Sequence, residues 1–123
     1  MDEHGWYGFT HERVLRHQGA GKVVLLDFTA DWCLTCLAND KAFLQSEAVT
    51  EAVAKHGVVK IKADWTKKGP AIAAALAEFD SASVPLYVVF PAGLGSKPLK
   101  LDTNITNSYV ISAIEAAVEK SGP

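Results

Sequence analysis

The stretch Val23 to Cys36, VVLLDFTADWCLTC, constrains the fold more than any other part of the chain. Val23 to Thr29 is rich in β-branched and apolar residues and follows the turn-forming Gly19-Ala20-Gly21, so it reads as a strand buried on both faces. It delivers the chain directly to Cys33 and Cys36, the only two cysteines. From Cys33 onward the composition changes to Leu, Ala, Asn, Lys and Phe, with Leu37, Phe43 and Leu44 at near-helical spacing. This predicts a helix from about Cys33, with the first cysteine at its N-terminus.

Ser46-Glu47 reads as a break and a fresh start, and Val49, Ala52 and Val53 form the apolar face of a second short helix that Gly57 closes. Val58 to Asp64 alternates apolar and charged residues, which predicts a strand whose charges suggest a less buried place in the sheet. Gly69-Pro70 opens a helix over Ala71 to Phe79, because proline is tolerated in the first turn. Leu86 to Phe90 is a further strand, Pro91 to Pro98 a turn, and Leu99 to Leu101 an antiparallel edge strand. The last helix covers about Ser108 to Lys120, with Val110, Ile111, Ile114, Ala117 and Val118 on one stripe.

The predicted order is helix, strand, helix, strand, helix, strand, strand, helix. A βαβ start followed by a hairpin and a closing helix implies a mixed α/β sheet flanked by helices on both faces. The 123 residues suit a single domain, with 1–22 as an N-terminal extension and first helix and 23–123 as the core. Hydrophobic residues at 49% and charged residues at 21% argue against disorder or a coiled coil. A net charge of -2, with acids and lysines interleaved, provides no basic stripe for nucleic acid and no basic amphipathic helix for a membrane surface. The longest apolar runs are far shorter than the roughly 20 residues that span a bilayer. No export signal is visible in MDEHGWYGF, and a Met1 start followed by polar residues also suits a domain excised from a longer chain.

Two cysteines three apart on a helix lie within disulfide range. As a staple, the bridge would close too small a loop to stabilise the chain much. A structural zinc site normally takes four ligands, and His4, His11, His17 and His56 are scattered with no second CxxC, so no metal is expected. Dithiol chemistry remains: a thiolate attacks a substrate disulfide, and the second thiol resolves the mixed disulfide. Cys33, at the helix start with free N–H groups near its sulfur, is the expected nucleophile, and Cys36, one turn in, the resolving thiol.

Asp27 lies inside the first strand, where a carboxylate is costly to bury. Buried, it would have a raised pKa and exchange a proton with Cys36; otherwise it lies on a partly solvated face or caps a neighbour. Asp40 follows Cys36 by four residues, on the same helical face, either near the sulfurs or as a solvated surface acid. Charged acids near the thiols would raise the cysteine pKa values and make the pair a reductant. Ser83-Val84-Pro85 precedes a strand, and its proline bond is either an ordinary trans bond or a cis bond that turns the Val84 backbone toward an extended substrate. Trp65 and the segment Thr66 to Gly69 have no role derivable from pattern beyond core packing or a loop rim.

Taken together, Asp27, Trp32-Cys33-Leu34-Thr35-Cys36 and Val84-Pro85 resemble the thioredoxin superfamily in order and spacing, from about Val23 to the C-terminus. The stretch DFTADWCLTCLAND, followed by ADWT at Ala63 to Thr66, resembles the C-terminal thioredoxin-like domain of the DsbD family of thiol:disulfide interchange proteins. The resemblance implies a thioredoxin fold, Cys33 and Cys36 as the redox pair, Val84 and Pro85 as the cis-proline loop, and Asp27 and Asp40 as acids tuning the thiols. It also implies a place on the periplasmic side of the bacterial inner membrane, within a larger membrane protein. There the domain would take electrons from a membrane-embedded carrier and pass them to a periplasmic partner domain, with no cofactor. Leu37 stands where that family often has lysine, and the shorter Asp40 where it often has glutamate. Leu34-Thr35 differs from the Gly-Pro of ordinary thioredoxin.

A monomer meeting its partners briefly through Trp32, Leu34 and Val84 is the expected form. The alternatives are a free-standing thioredoxin-like reductase, for example in cytochrome c maturation, and a thioredoxin-fold interaction module with incidental cysteines. Loss of turnover on mutating Cys33 separates an enzyme from a module.

Overall fold

Strand β2 (Val24–Thr29) has all six residues buried and is hydrogen-bonded on both sides. It runs parallel to β3 (Val59–Asp64) and antiparallel to β4 (Leu86–Phe90), with Asp27 opposite Lys62 on one side and Tyr87 on the other. The computed structural model describes residues 1–122. Outside this central trio lie β1 (Trp6–Gly8), parallel to β3, and β5 (Leu99–Lys100), antiparallel to β4. The strand order is β1-β3-β2-β4-β5. The parallel β2 and β3 need a helical crossover between them, whereas β4 and β5 are joined by a turn.

Among the described residues five α-helices complete the fold: α1 (His11–Gly19), α2 (Leu34–Asn39), α3 (Glu47–His56), α4 (Pro70–Glu78) and α5 (Asn107–Glu119). Helix α2 continues as a π-helical turn over Asp40–Leu44, in which Gln45 N–H donates to the Asp40 carbonyl five residues back. The side-chain oxygens of Thr10, Ser46 and Thr106 cap α1, α3 and α5 by accepting from N–H groups of the first turn. Gly57 closes α3 in the left-handed region at φ 62°, where a side chain would be strained.

The alternation of β2 assigns its residues to two cores. Leu25 joins Tyr87, Val89, Leu44, Val49, Val110 and Ile114 on the face of α3 and α5. Leu26 and Phe28 join Ile61, Val88, Val14 and Leu76 on the face of α1 and α4. Helices therefore flank a mixed sheet on both faces, as the sequence predicts. No helix among the described residues is long and apolar enough to cross a membrane.

The structure adds a strand that the periodicity does not reveal. Trp6–Gly8 is three residues long, too short for an alternating pattern, yet it pairs with Lys60 to Lys62 of β3. Strand β3 is less buried than β2 or β4, as its charged positions suggest, although pairing with β1 makes it an interior strand. Lys60 and Lys62 are half-buried because their ammonium groups lie 5.1 and 5.3 Å from the Trp6 ring centroid, covering a side chain that is itself buried. Trp6→Ala is expected to lower the free energy of unfolding by about 3 kcal/mol. Urea titration checks this, and a loss well under 1 kcal/mol would make β1 peripheral to the fold.

Candidate active site

After β2 the chain turns through Ala30, Asp31 and Trp32 into Cys33, whose N–H donates to the Ala30 carbonyl at 3.2 Å. Cys33 is the N-cap of α2: its backbone is extended, and its sulfur accepts from the Cys36 N–H at 3.1 Å. A sulfur in this position meets an otherwise unsatisfied backbone donor at the start of a helix, which favours the thiolate over the thiol. Cys33 and Cys36 form a disulfide with 5.2 Å between Cα atoms. Cys33 is 8% exposed and Cys36 is completely buried, so an incoming group reaches the first sulfur and not the second.

Around the cysteines the surface is apolar. Leu34 is 81% exposed and Trp32 45%, and Leu37 on the next turn is also open to solvent. The Val84–Pro85 peptide is cis, and half-buried Val84 packs against the small cluster of Ala30, Cys33 and Cys36. The β4 end of the sheet thus joins the redox pair, although about 50 residues separate them in the chain.

The two acids come together on the inner side of α2. Asp27 is fully buried and neither of its carboxyl oxygens has a hydrogen-bond partner; Asp40, almost as deeply buried, leaves one oxygen unpartnered. Asp40 lies one helical turn beyond Cys36, a rise of about 6 Å. Burial, and then the adjacent Asp40 carboxyl, push the Asp27 pKa well above the ordinary carboxylate range, with Lys62 opposing in part. The alternatives of a solvated or capping Asp27 and a surface Asp40 do not occur.

Two further residues complete this pocket. The Tyr87 hydroxyl accepts from Asn39 Nδ2 at 2.9 Å, and the same amide donates to the Thr103 carbonyl at 3.1 Å. Burial, together with the nearby acids, raises the tyrosine pKa, so its hydroxyl stays protonated. A tyrosine opposite Asp27 inside an apolar strand is the one sequence signal that could have pointed to it. Asn39 carries no such signal, since its partners lie 48 and 64 residues away.

The β3–α4 loop meets the segment just before Cys33. Asp31 N–H donates to Thr66 Oγ1 at 2.9 Å, and Trp32 Nε1 donates to the Thr66 carbonyl at 2.9 Å. Sequence reasoning leaves this loop without a role.

Comparison with known proteins follows the same lines. A thioredoxin-like family model matches residues 5–92. The chain is 33% identical over 75 residues to the thiol:disulfide interchange protein DsbD of Klebsiella pneumoniae, a match covering 61% of this chain and 12% of that protein. It is 32% identical over 91 residues to DsbD of Yersinia enterocolitica, covering 74% and 15%. The matched region is thus a small part of these relatives' length. Among solved structures, the C-terminal domain of Neisseria meningitidis DsbD in the reduced form superposes with a TM-score of 0.69 at 22% identity, covering 90% of this chain and 99% of that one. A thioredoxin from Thermus thermophilus gives a TM-score of 0.74 at 14% identity, covering 96% and 91%. At these identities the structural likenesses establish the fold.

The buried acid makes stability depend on pH with a definite sign. Asp27 holds its proton more tightly in the folded than in the unfolded chain, so this group favours folding at low pH. Stability falls as pH rises above the ordinary value of 3.8 and continues to fall until the raised folded pKa is passed. Asp27→Asn is therefore expected to stabilise the protein, and by more at pH 8 than at pH 5. Urea melts at the two pH values check this, and a gain that shrinks on raising the pH would contradict it.

Proposed function

Because the chain belongs to the thioredoxin-like family, we propose that it is a thiol:disulfide interchange domain that carries electrons between protein partners as a reductant. In the reading we favour, it takes them from a membrane-embedded carrier and delivers them to a partner domain on the periplasmic side of the bacterial inner membrane, as part of a larger polypeptide. The observation that carries this proposal is the Cys33–Cys36 disulfide at the start of α2, with one sulfur at an apolar rim and the other fully buried, one helical turn before the buried Asp40 that neighbours Asp27.

The roles follow from access and charge. In the reduced protein the Cys33 thiolate attacks one sulfur of a partner disulfide, and the partner's other sulfur leaves with the electron pair and takes up a proton. Cys36 then loses its proton to the Asp27 carboxylate, directly or through one water, and attacks the Cys33 sulfur. The partner leaves as a dithiol, and the Cys33–Cys36 disulfide remains. Asp27 suits this step because its raised pKa makes it a better base than an ordinary carboxylate.

The same acids set the direction of flow. A negative charge on the Asp27–Asp40 pair disfavours a further negative charge on the sulfurs, so the dithiol form is less stabilised than in a strong oxidant. Trp32, Leu34 and Val84 form the contact surface, and an extended partner segment would pair with the Val84 backbone beside the cysteines. The Val84 and Pro85 loop thus packs against the cysteines, and Asp40 follows Cys36 by one helical turn.

Equilibration with glutathione buffers is expected to give a reduction potential near or below about -270 mV, the thioredoxin value. A value near about -120 mV, that of a strong oxidant, would reverse the assignment of direction. Cys36→Ser is expected to accumulate a mixed disulfide through Cys33 when incubated with periplasmic extract, visible as a reducible shift on non-reducing gels. Cys33→Ser is expected to show none and to lose all turnover.

A further inference from the structure

The β3–α4 loop is bound to the end of β2 and to the active-site loop that follows it at three successive points. Trp65 N–H donates to the Thr29 carbonyl at 2.7 Å, the Thr66 hydroxyl accepts from Asp31 N–H, and the Thr66 carbonyl accepts from the Trp32 indole. The Thr66 hydroxyl in turn donates to the Asp64 carboxylate, which also accepts from Thr66 N–H at 3.0 Å. Trp65 lies against Trp32 with ring centroids 6.1 Å apart and planes tilted by 56°. Lys68 closes the arrangement: its ammonium lies 5.0 Å from the Trp32 ring centroid and 5.8 Å from that of Trp65.

Two features of this clasp are costly to the fold. Lys68 has φ 52°, in the left-handed region that non-glycine residues rarely adopt. Trp65 buries its indole N–H without a partner. Such costs persist where the surroundings hold the backbone in place, and they concentrate at functional sites. What the costs secure is the setting of Trp32, a large, half-exposed side chain immediately before the nucleophile.

We propose that Trp65, Thr66 and Lys68 are positioning residues for Trp32, holding its indole where it meets the polypeptide around a partner's disulfide. They thereby govern recognition of protein disulfides rather than the thiol chemistry. The inference rests on the interchange reading above. Lys68 acts through Trp32: its ammonium packs against both indoles, and this cation–π attraction adds to the Thr66 hydrogen bond in fixing the orientation of the Trp32 ring. The clasp's hydrogen bonds and cation–π contact run to Thr29, Asp31 and Trp32, the segment before the nucleophile, so it affects recognition rather than the thiols.

The test uses insulin as the protein disulfide and oxidised glutathione as the small one, with dithiothreitol as electron donor. Lys68→Met is expected to raise KM for insulin about two- to fivefold, the range of one exposed cation–π contact. It should leave kcat, the rate with oxidised glutathione and the reduction potential unchanged. Lys68→Arg should restore the KM, since a guanidinium stacks on indole. Lys68→Gly, which relieves the left-handed backbone, should raise KM as Lys68→Met does while keeping or raising Tm, which separates this effect from instability. Adding Lys68→Met to Trp32→Ala should change nothing further.

An additive double variant would mean that Lys68 contacts the partner itself, and a shifted potential would mean that it acts on the thiols; either overturns the inference. Wild type active with Lys68→Met unchanged overturns the inference alone. Wild type no faster than Cys33→Ser on both disulfides overturns the interchange reading and the inference with it.

Discussion

Strand β2 is hydrogen-bonded along both edges and covered by helices on both faces, so whatever stands at its fourth residue is cut off from water. That residue is Asp27. An apolar side chain there would simply extend the core, and a hydrogen-bonded polar one would be neutral to the fold. A carboxyl group without a partner, beside a second buried acid, holds its proton unusually tightly and makes the charge of the pocket depend on protonation. The strand that anchors the sheet thus also carries the least comfortable group in the molecule, beside the acid that lies one helical turn beyond the resolving cysteine.

The surroundings of the disulfide divide into two parts of different chemistry. One helical turn beyond Cys36 lies the buried Asp40, beside Asp27 and Tyr87, and Asn39 bonds the Tyr87 hydroxyl; this polar group acts on proton and electron energetics. Around Cys33 lie Trp32, Leu34 and Val84, an apolar rim with little charge of its own. Charges act over distance in a low dielectric, whereas apolar contacts act only where surfaces touch. Tuning of the thiols and choice of partner can therefore change separately. The clasp from Thr66 and Lys68 belongs to the second part, since it fixes a contact surface without adding a charged group to the acid pocket.

The π-helical turn after Asn39 shows how local irregularity supports this arrangement. It begins at Asp40 and ends at Leu44, both buried. One extra residue in the turn accompanies a helix that presents an acid to the pocket and then a leucine to the core of α3 and α5. Irregular turns of this kind within helices are frequent at functional sites.

Much of the fold was legible from residues 23 to 120, because strand alternation, helical spacing, caps and turn residues are local properties of the chain. Val23 to Thr29, the CxxC at a helix start and Pro70 in a first turn each declare themselves within a few residues. Trp6–Gly8 did not, because three residues hold no period and their strand exists only through pairing with β3. Tertiary structure alone decided that Asp40 is buried rather than solvated, that Val84–Pro85 is cis, and that Trp65 and Lys68 lie on Trp32. Sequence determined which residues could do chemistry. Which of them meet was settled by contacts between segments some 35 to 65 residues apart, such as Asp31 with Thr66 and Asn39 with Tyr87, whose geometry exists only once the sheet has brought them together.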